Sequence, residues 1–115
     1  MFDFEKLEVY KKAKLAKRKS FGWLRENPKI DPFIKDQLKR ASHSVILNIA
    51  EGTGRFSNAD RRNFYIMARS SVFECVPIFD DLKDEDLIAL QHFDSFYKDY
   101  DEISRMLYAM ITKLS

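Results

Sequence analysis

The sequence predicts an all-α protein, an antiparallel up-and-down four-helix bundle, and three observations lead there. Glycine and proline number only 3 each in 115 residues, too few for the many turns of an all-β fold. Three clusters of turn-forming residues divide the chain into four stretches, each long enough for roughly four or more helical turns. The last stretch repeats apolar residues at alternating intervals of three and four, the seam of a packed helix. Helices joined by short connections become antiparallel neighbours, which gives the up-and-down order.

The first stretch runs from about Asp3 to Glu26. Phe4, Leu7, Tyr10, Ala13 and Leu24 fall near helical spacing, a loose pattern whose end is weakened by Gly22. Pro28, inside Asn27-Pro28-Lys29-Ile30-Asp31-Pro32, cannot continue a helix and marks the stop. The second stretch runs from about Pro32 to Glu51. Ile34, Leu38, Ala41, Val45, Asn48 and Gly52 step by four and three, a stripe that faces a core. Asp31 before Pro32 reads as an N-cap with proline at the first helical position. Gly52 is the expected stop, because glycine enters the left-handed region without a Cβ penalty.

The third stretch begins at Ser57, which with Asp60 has the form of a capping box. Phe64, Met67, Ala68, Ser71 and Val72 follow as its apolar and small positions. Pro77 interrupts the pattern, and the expectation is a kink with helix resuming to about Leu82. The fourth stretch is the clearest. Phe93, Phe96, Tyr100, Ile103, Leu107, Met110 and Leu114 form an unbroken heptad seam, widened by Tyr97, Met106 and Ile111. Asp84 or Asp86 is expected to cap its start.

Composition narrows the function. The 10 Phe and 5 Tyr supply ample apolar area for one folded domain over residues 1–115 and argue against disorder. One cysteine, Cys75, excludes an intrachain disulfide framework and a cysteine zinc site. It lies among Val72, Phe73 and Val76 and reads as a small buried hydrophobe. His43 and His92 leave little for a metal centre, and His43 between two serines reads as a surface side chain. No apolar run approaches the ~20 residues of a membrane span. The N-terminus lacks the basic flank and apolar stretch of a signal peptide. The protein is therefore expected to be soluble and cytoplasmic, in a reducing compartment. No catalytic, cofactor-binding or metal-binding residue is assigned, and the chain is expected not to be an enzyme.

Charge is unevenly placed. Residues 1–30 carry 9 basic and 4 acidic side chains, net +5. Residues 31–70 carry 7 and 4, net +3, and residues 71–115 carry 4 and 10, net −6. At 100° per residue, Lys11, Lys14, Arg18 and Arg25 share one side of the first helix, with Lys12 and Lys19 flanking them. Arg40, Arg61 and Arg62 can add to that field, and Arg55 in Gly52-Thr53-Gly54-Arg55 can touch a phosphate. Lys11, Lys14, Arg18, Arg25, Arg40 and Arg55 are thus the candidate nucleic-acid contacts, driven by charge and shape rather than base reading. The competing reading is a solvated face neutralised by the acidic last third. Gly52-Thr53-Gly54-Arg55 itself lacks the Gly-Lys-Ser/Thr ending of a phosphate loop and reads as a tight interhelical turn.

The segment Gln37 to Arg55 is the most distinctive. Ala41, Ser42, Ser44 and Ala50 are small enough for a neighbouring helix to approach, and Asn48 places an amide on the apolar stripe, where it can fix register. Glu51 stands ready to pair with Arg55 or Arg40. Gln37, Arg40-Ala41, Ser44-Val45, Asn48-Ile49-Ala50-Glu51-Gly52, Gly54-Arg55, Ser57 and Asp60 resemble the signature of the 23S rRNA-intervening sequence proteins. The likeness extends to Phe4, Leu7 and Tyr10-Lys11 before it, and to Phe64, Ala68, Ser70-Ser71, Glu74, Arg105-Met106-Leu107, Ile111 and Leu114 after it. Arg69 and Pro77 depart from the family's third helix.

This resemblance implies a four-helix bundle that assembles into a ring-like homo-oligomer, typically a pentamer. Some relatives are encoded in insertions within the large-subunit rRNA gene, and a similar bundle serves as an accessory protein of diversity-generating retroelements. Nucleic-acid binding is the usual conjecture, and no catalytic residue comes with the likeness. Asn48, Glu51, Gly52 and Gly54 carry over as structural signature positions at the helix end or a subunit contact. Two functions follow as expectations: a non-enzymatic homo-oligomer that binds RNA or DNA through a basic face, or an interaction scaffold or accessory subunit for a partner enzyme, without direct nucleic-acid binding.

Overall fold

A computed structural model, described over residues 1–114, contains four α-helices. They are α1 (Glu8–Arg25), α2 (Pro32–Thr53), α3 (Asn58–Asp84) and α4 (Leu90–Lys113), preceded by a 3₁₀ turn at Asp3–Lys6. Each helix packs on the next and α1 also packs on α4, while the backbones of the diagonal pairs stay apart and meet only through core side chains such as Trp23 and Phe79. That cycle of neighbours is the bundle the heptad seam and the short connections predict. The molecule measures 44 × 25 × 21 Å.

The core follows from the helix stripes. Val9, Ala13, Ala16, Trp23 and Leu24 from α1 meet Leu38, Ala41, Val45 and Ile49 from α2. Tyr65, Ala68, Val72, Cys75, Phe79 and Leu82 from α3 meet Phe93, Phe96, Tyr100, Ile103, Leu107 and Ile111 from α4. Phe79 stacks on Phe96 at 4.5 Å between centroids, and Trp23 closes on both edge-on. Such ring pairs add roughly 0.5–1.5 kcal/mol each beyond the area they bury. Buried polar groups in this core are paired. Ser20 Oγ donates to the Ala16 carbonyl at 2.8 Å and lies 3.0 Å from the Tyr100 hydroxyl.

Several local expectations hold. Asp31 Oδ1 accepts from the Phe33 amide at 2.7 Å with Pro32 at the first helical position. Ser57 Oγ accepts from the Asp60 amide at 3.1 Å. Helix α3 continues through Pro77 to Asp84. Proline offers no amide, so the Phe73 carbonyl has no donor four residues on.

Others are corrected. The first stretch is not one helix: the backbone at Leu7 is extended (φ −74, ψ 132), separating the 3₁₀ turn from α1. Gly52 does not end α2, which runs on to Thr53 with Gly54 as its cap at φ −83. Gly52 is instead buried inside the helix, where an added Cβ would fall 2.8 Å from Phe64 Cβ and 2.9 Å from Tyr65 Cε1. Close approach of α3, not backbone freedom, demands glycine there.

Neither Asp84 nor Asp86 caps α4; its N-cap is Ala89, which has no side-chain cap. Asp86 finishes α3 instead. It takes the left-handed conformation (φ 57), and the Leu87 amide donates back to the Leu82 carbonyl at 2.9 Å. A carboxylate side chain stands where glycine is usual in this terminal motif. Met67 and Tyr97 are about half exposed rather than in the seams, and Tyr65 takes the core position on α3.

Candidate nucleic-acid interface

The basic helix α1 lies against the acidic helix α4, and part of its charge is consumed there. Lys12 Nζ reaches Glu102 Oε1 at 2.8 Å. Lys19 Nζ reaches Asp99 Oδ2 at 2.6 Å and the Ser95 hydroxyl at 2.8 Å. The hydrogen bond to Glu102, then its charge, holds the Lys12 ammonium above its ordinary 10.5. The neutralisation by the last third of the chain is therefore real for the two flanking lysines.

It does not extend to the outer face. Lys11, Lys14, Arg18 and Arg25 are all exposed. Lys11 reaches only Glu8, at 3.4 Å. Among the described residues, Lys14, Arg18 and Arg25 have no carboxylate within 4.0 Å. Lys11, Lys14 and Arg18 line one shallow depression together with Phe4, Glu5 and Tyr10. Phe4 packs edge-on against Tyr10 at 4.9 Å, and Lys14 Nζ lies 5.7 Å from the Tyr10 ring centroid. The extended break at Leu7 is what returns Phe4 to this place. Arg25 stands two turns beyond Arg18, roughly 10 Å along the axis.

The other candidates lie elsewhere. Arg40 borders a depression between α1 and α2 with Lys17, Phe21, Lys39 and Asp36. Lys17 and Lys39 both sit over the Phe21 ring, at 5.2 and 5.8 Å. Lys39 was not predictable as part of this field, because the ring that gathers the two lysines joins different helices. Arg55 is engaged at the α2–α3 turn. Its guanidinium lies 4.6 Å from the Phe64 ring and 3.9 Å from Glu51 Oε2, and its carbonyl accepts from Arg61 Nε at 2.6 Å. It is not brought to the α1 cluster. Glu51 pairs with Arg55, not Arg40.

Of the signature positions, Gly52 is buried against α3, while Glu51 and Gly54 are exposed. Asn48 is half-buried rather than a core amide, and its Nδ2 donates to the Ser44 carbonyl at 2.9 Å and Ser44 Oγ at 3.0 Å. Ser44 Oγ in turn accepts from Ser71 Oγ of α3 at 2.9 Å, so the amide acts through a serine bridge between helices. His43 is exposed beside Arg40, and Cys75 is fully buried. Burial pushes the Cys75 thiol from 9.0 to about 12. Among the described residues, no three His, Cys, Asp or Glu side chains gather as a metal site would require. No described helix is long and apolar enough to cross a membrane.

The chain is thus an all-α protein, a bundle of four helices with an exposed cationic face on α1. The family model of the 23S rRNA-intervening sequence proteins matches residues 5–109, and the chain belongs to that family. A solved structure from Bacteroides thetaiotaomicron VPI-5482, described as a protein of unknown function from the S23 ribosomal protein family, shares the fold. The two superpose with a TM-score of 0.83 at 23% identity, over 90% of this chain and 97% of that one. Among curated proteins none matches the chain.

Proposed function

We propose that this protein is a non-enzymatic homo-oligomer, ring-like and pentameric as the family resemblance implies, that binds RNA or DNA through the basic face of α1. The observation that carries the binding reading is Lys14 and Arg18, exposed beside Lys11 with no carboxylate within 4.0 Å among the described residues. Flexible cations of this kind neutralise phosphates without reading bases. A mobility-shift titration across salt tests it. Affinity must fall steeply as salt rises, and no shift even at low salt overturns the reading.

A scaffold or accessory role for a partner protein is the second reading. It is favoured by Leu47 and Met67, about half exposed on α2 and α3, and by Phe56, fully exposed in the turn between them. Exposed apolar side chains on neighbouring elements suit a protein contact, a second copy first of all. Light scattering across concentration and salt reads the assembly. A strict monomer under every condition refutes both the ring and the self-associating scaffold.

A further inference from the structure

A second cationic site lies between α3 and α4, away from the α1 face, since α1 and α3 are diagonal in the bundle. Arg62 and Arg69 stand two turns apart on α3 and line a groove with Ser70, Phe73 and Tyr108, and among the described residues no carboxylate borders it. Each arginine is half-buried, and each Nε is shielded from solvent with no hydrogen-bond partner among the described residues. The Arg69 guanidinium lies between two rings, 4.7 Å from the centroid of Phe73 and 5.5 Å from that of Tyr108. Those rings nonetheless remain 57% and 58% exposed, so each keeps surface for a further planar group.

Two features decide the class of ligand. Two guanidiniums with no acidic counterpart among the described residues favour phosphate, which accepts several charge-assisted hydrogen bonds at once. Exposed aromatic rings beside them offer stacking surface to a base, and a base is available for stacking only when it is not held inside a duplex. A folded duplex presents phosphates but hides its rings.

We propose that the Arg62–Arg69 groove binds an unpaired nucleotide of a single-stranded nucleic acid, its phosphate on Arg69 and its base stacked on Tyr108 or Phe73, with Arg62, two turns away, left to a neighbouring phosphate of the same strand. This rests on the nucleic-acid reading above and deepens it. The α1 face then supplies affinity for any phosphate backbone, and the α3–α4 groove supplies preference for single strands.

The test is fluorescence anisotropy with a labelled oligouridylate and a labelled RNA duplex of the same length, at low salt. Tyr108→Ala removes an exposed ring and leaves no core cavity. It should weaken the single strand by about five-fold or more and leave the duplex within about two-fold. Arg69→Gln should act in the same direction, while Arg69→Lys, which keeps the charge but loses the planar fork, should fall between it and the parent protein. Lys14→Glu combined with Arg18→Glu should weaken both ligands together. If the α1 reversal weakens both ligands while Tyr108→Ala and Arg69→Gln change neither, the groove proposal fails and the α1 reading survives. If the parent protein binds neither ligand, both readings fail. If Tyr108→Ala changes the mass seen by light scattering but not oligonucleotide binding, the groove is a subunit contact and the proposal is overturned.

Discussion

Gly52 of α2 and Phe64 of α3 pack so closely that a Cβ on the glycine would lie 2.8 Å from the Cβ of the phenylalanine. The neighbouring atom belongs to the stem of a side chain on a helix backbone, so it cannot swing away. Gly52→Ala should cost roughly 1–3 kcal/mol by overpacking, measured as a lower urea midpoint. Gly54→Ala is the control. Its φ is −83 and its nearest contact would be an ordinary 3.6 Å, so the change should be within about 0.5 kcal/mol of neutral.

Lys19 and Asp99 join the first and last helices at 2.6 Å, with both side chains about one-third exposed. A double-mutant cycle with Lys19→Ala and Asp99→Ala should give a coupling of about 1 kcal/mol or less, shrinking as salt rises. No coupling at low salt would show that the pair holds no geometry in solution.

Alkaline stability has a fixed sign. Cys75 binds its proton more tightly folded, from 9.0 up to about 12, because burial penalises the thiolate. Burial likewise raises the Tyr100 hydroxyl. The unfolded chain therefore ionises first, and the Cys75 contribution to stability should be constant below pH 9.0 and decline from there toward about 12. The Lys12 ammonium, raised above 10.5 by Glu102, adds a contribution that is present below that value and lost above it. Chemical denaturation at stepped pH reads this directly. A thiol reagent at mildly alkaline pH should leave native Cys75 unmodified and label it only as fast as the bundle opens.

The α1 cluster has a quantitative signature. Replacing Lys11, Lys14 and Arg18 with alanine should lower the slope of log affinity against log salt by about 0.7–0.9 for each phosphate the protein no longer neutralises. A slope unchanged by the triple replacement would place the phosphate-binding cations elsewhere.

The helices were legible because their signals are local. The seam from Phe93 to Leu107 is buried as its spacing requires, and Asp31 and Ser57 cap as their chemistry dictates. The misread positions are those where a distant neighbour decides. Gly52 looks like a stop until Phe64 is seen against it, and Met67 looks apolar enough for the core until Tyr65 occupies that side. Asp86 looks like a cap for the next helix, yet it closes the preceding one through a backbone turn. The charge cluster was legible for the same local reason, since Lys11, Lys14 and Arg18 recur along one helix face. The Arg69–Tyr108 pairing was not, because its members lie on different helices and no spacing rule relates them.

The acidic run Asp80 to Asp86 lies at the α3–α4 connection, while Arg55, Arg61 and Arg62 lie at the α2–α3 turn. Up-and-down topology puts those two connections at opposite ends of a body 44 Å long. The charge is thus uneven along the rod, although Arg25 and Lys29 at the α1–α2 connection share the acidic end and the total is only +2. In the field of a polyanion an uneven rod feels a torque as well as a pull, which favours approach with the α2–α3 end inward. Ionic strength therefore sets the angle of approach, not the strength of attachment alone.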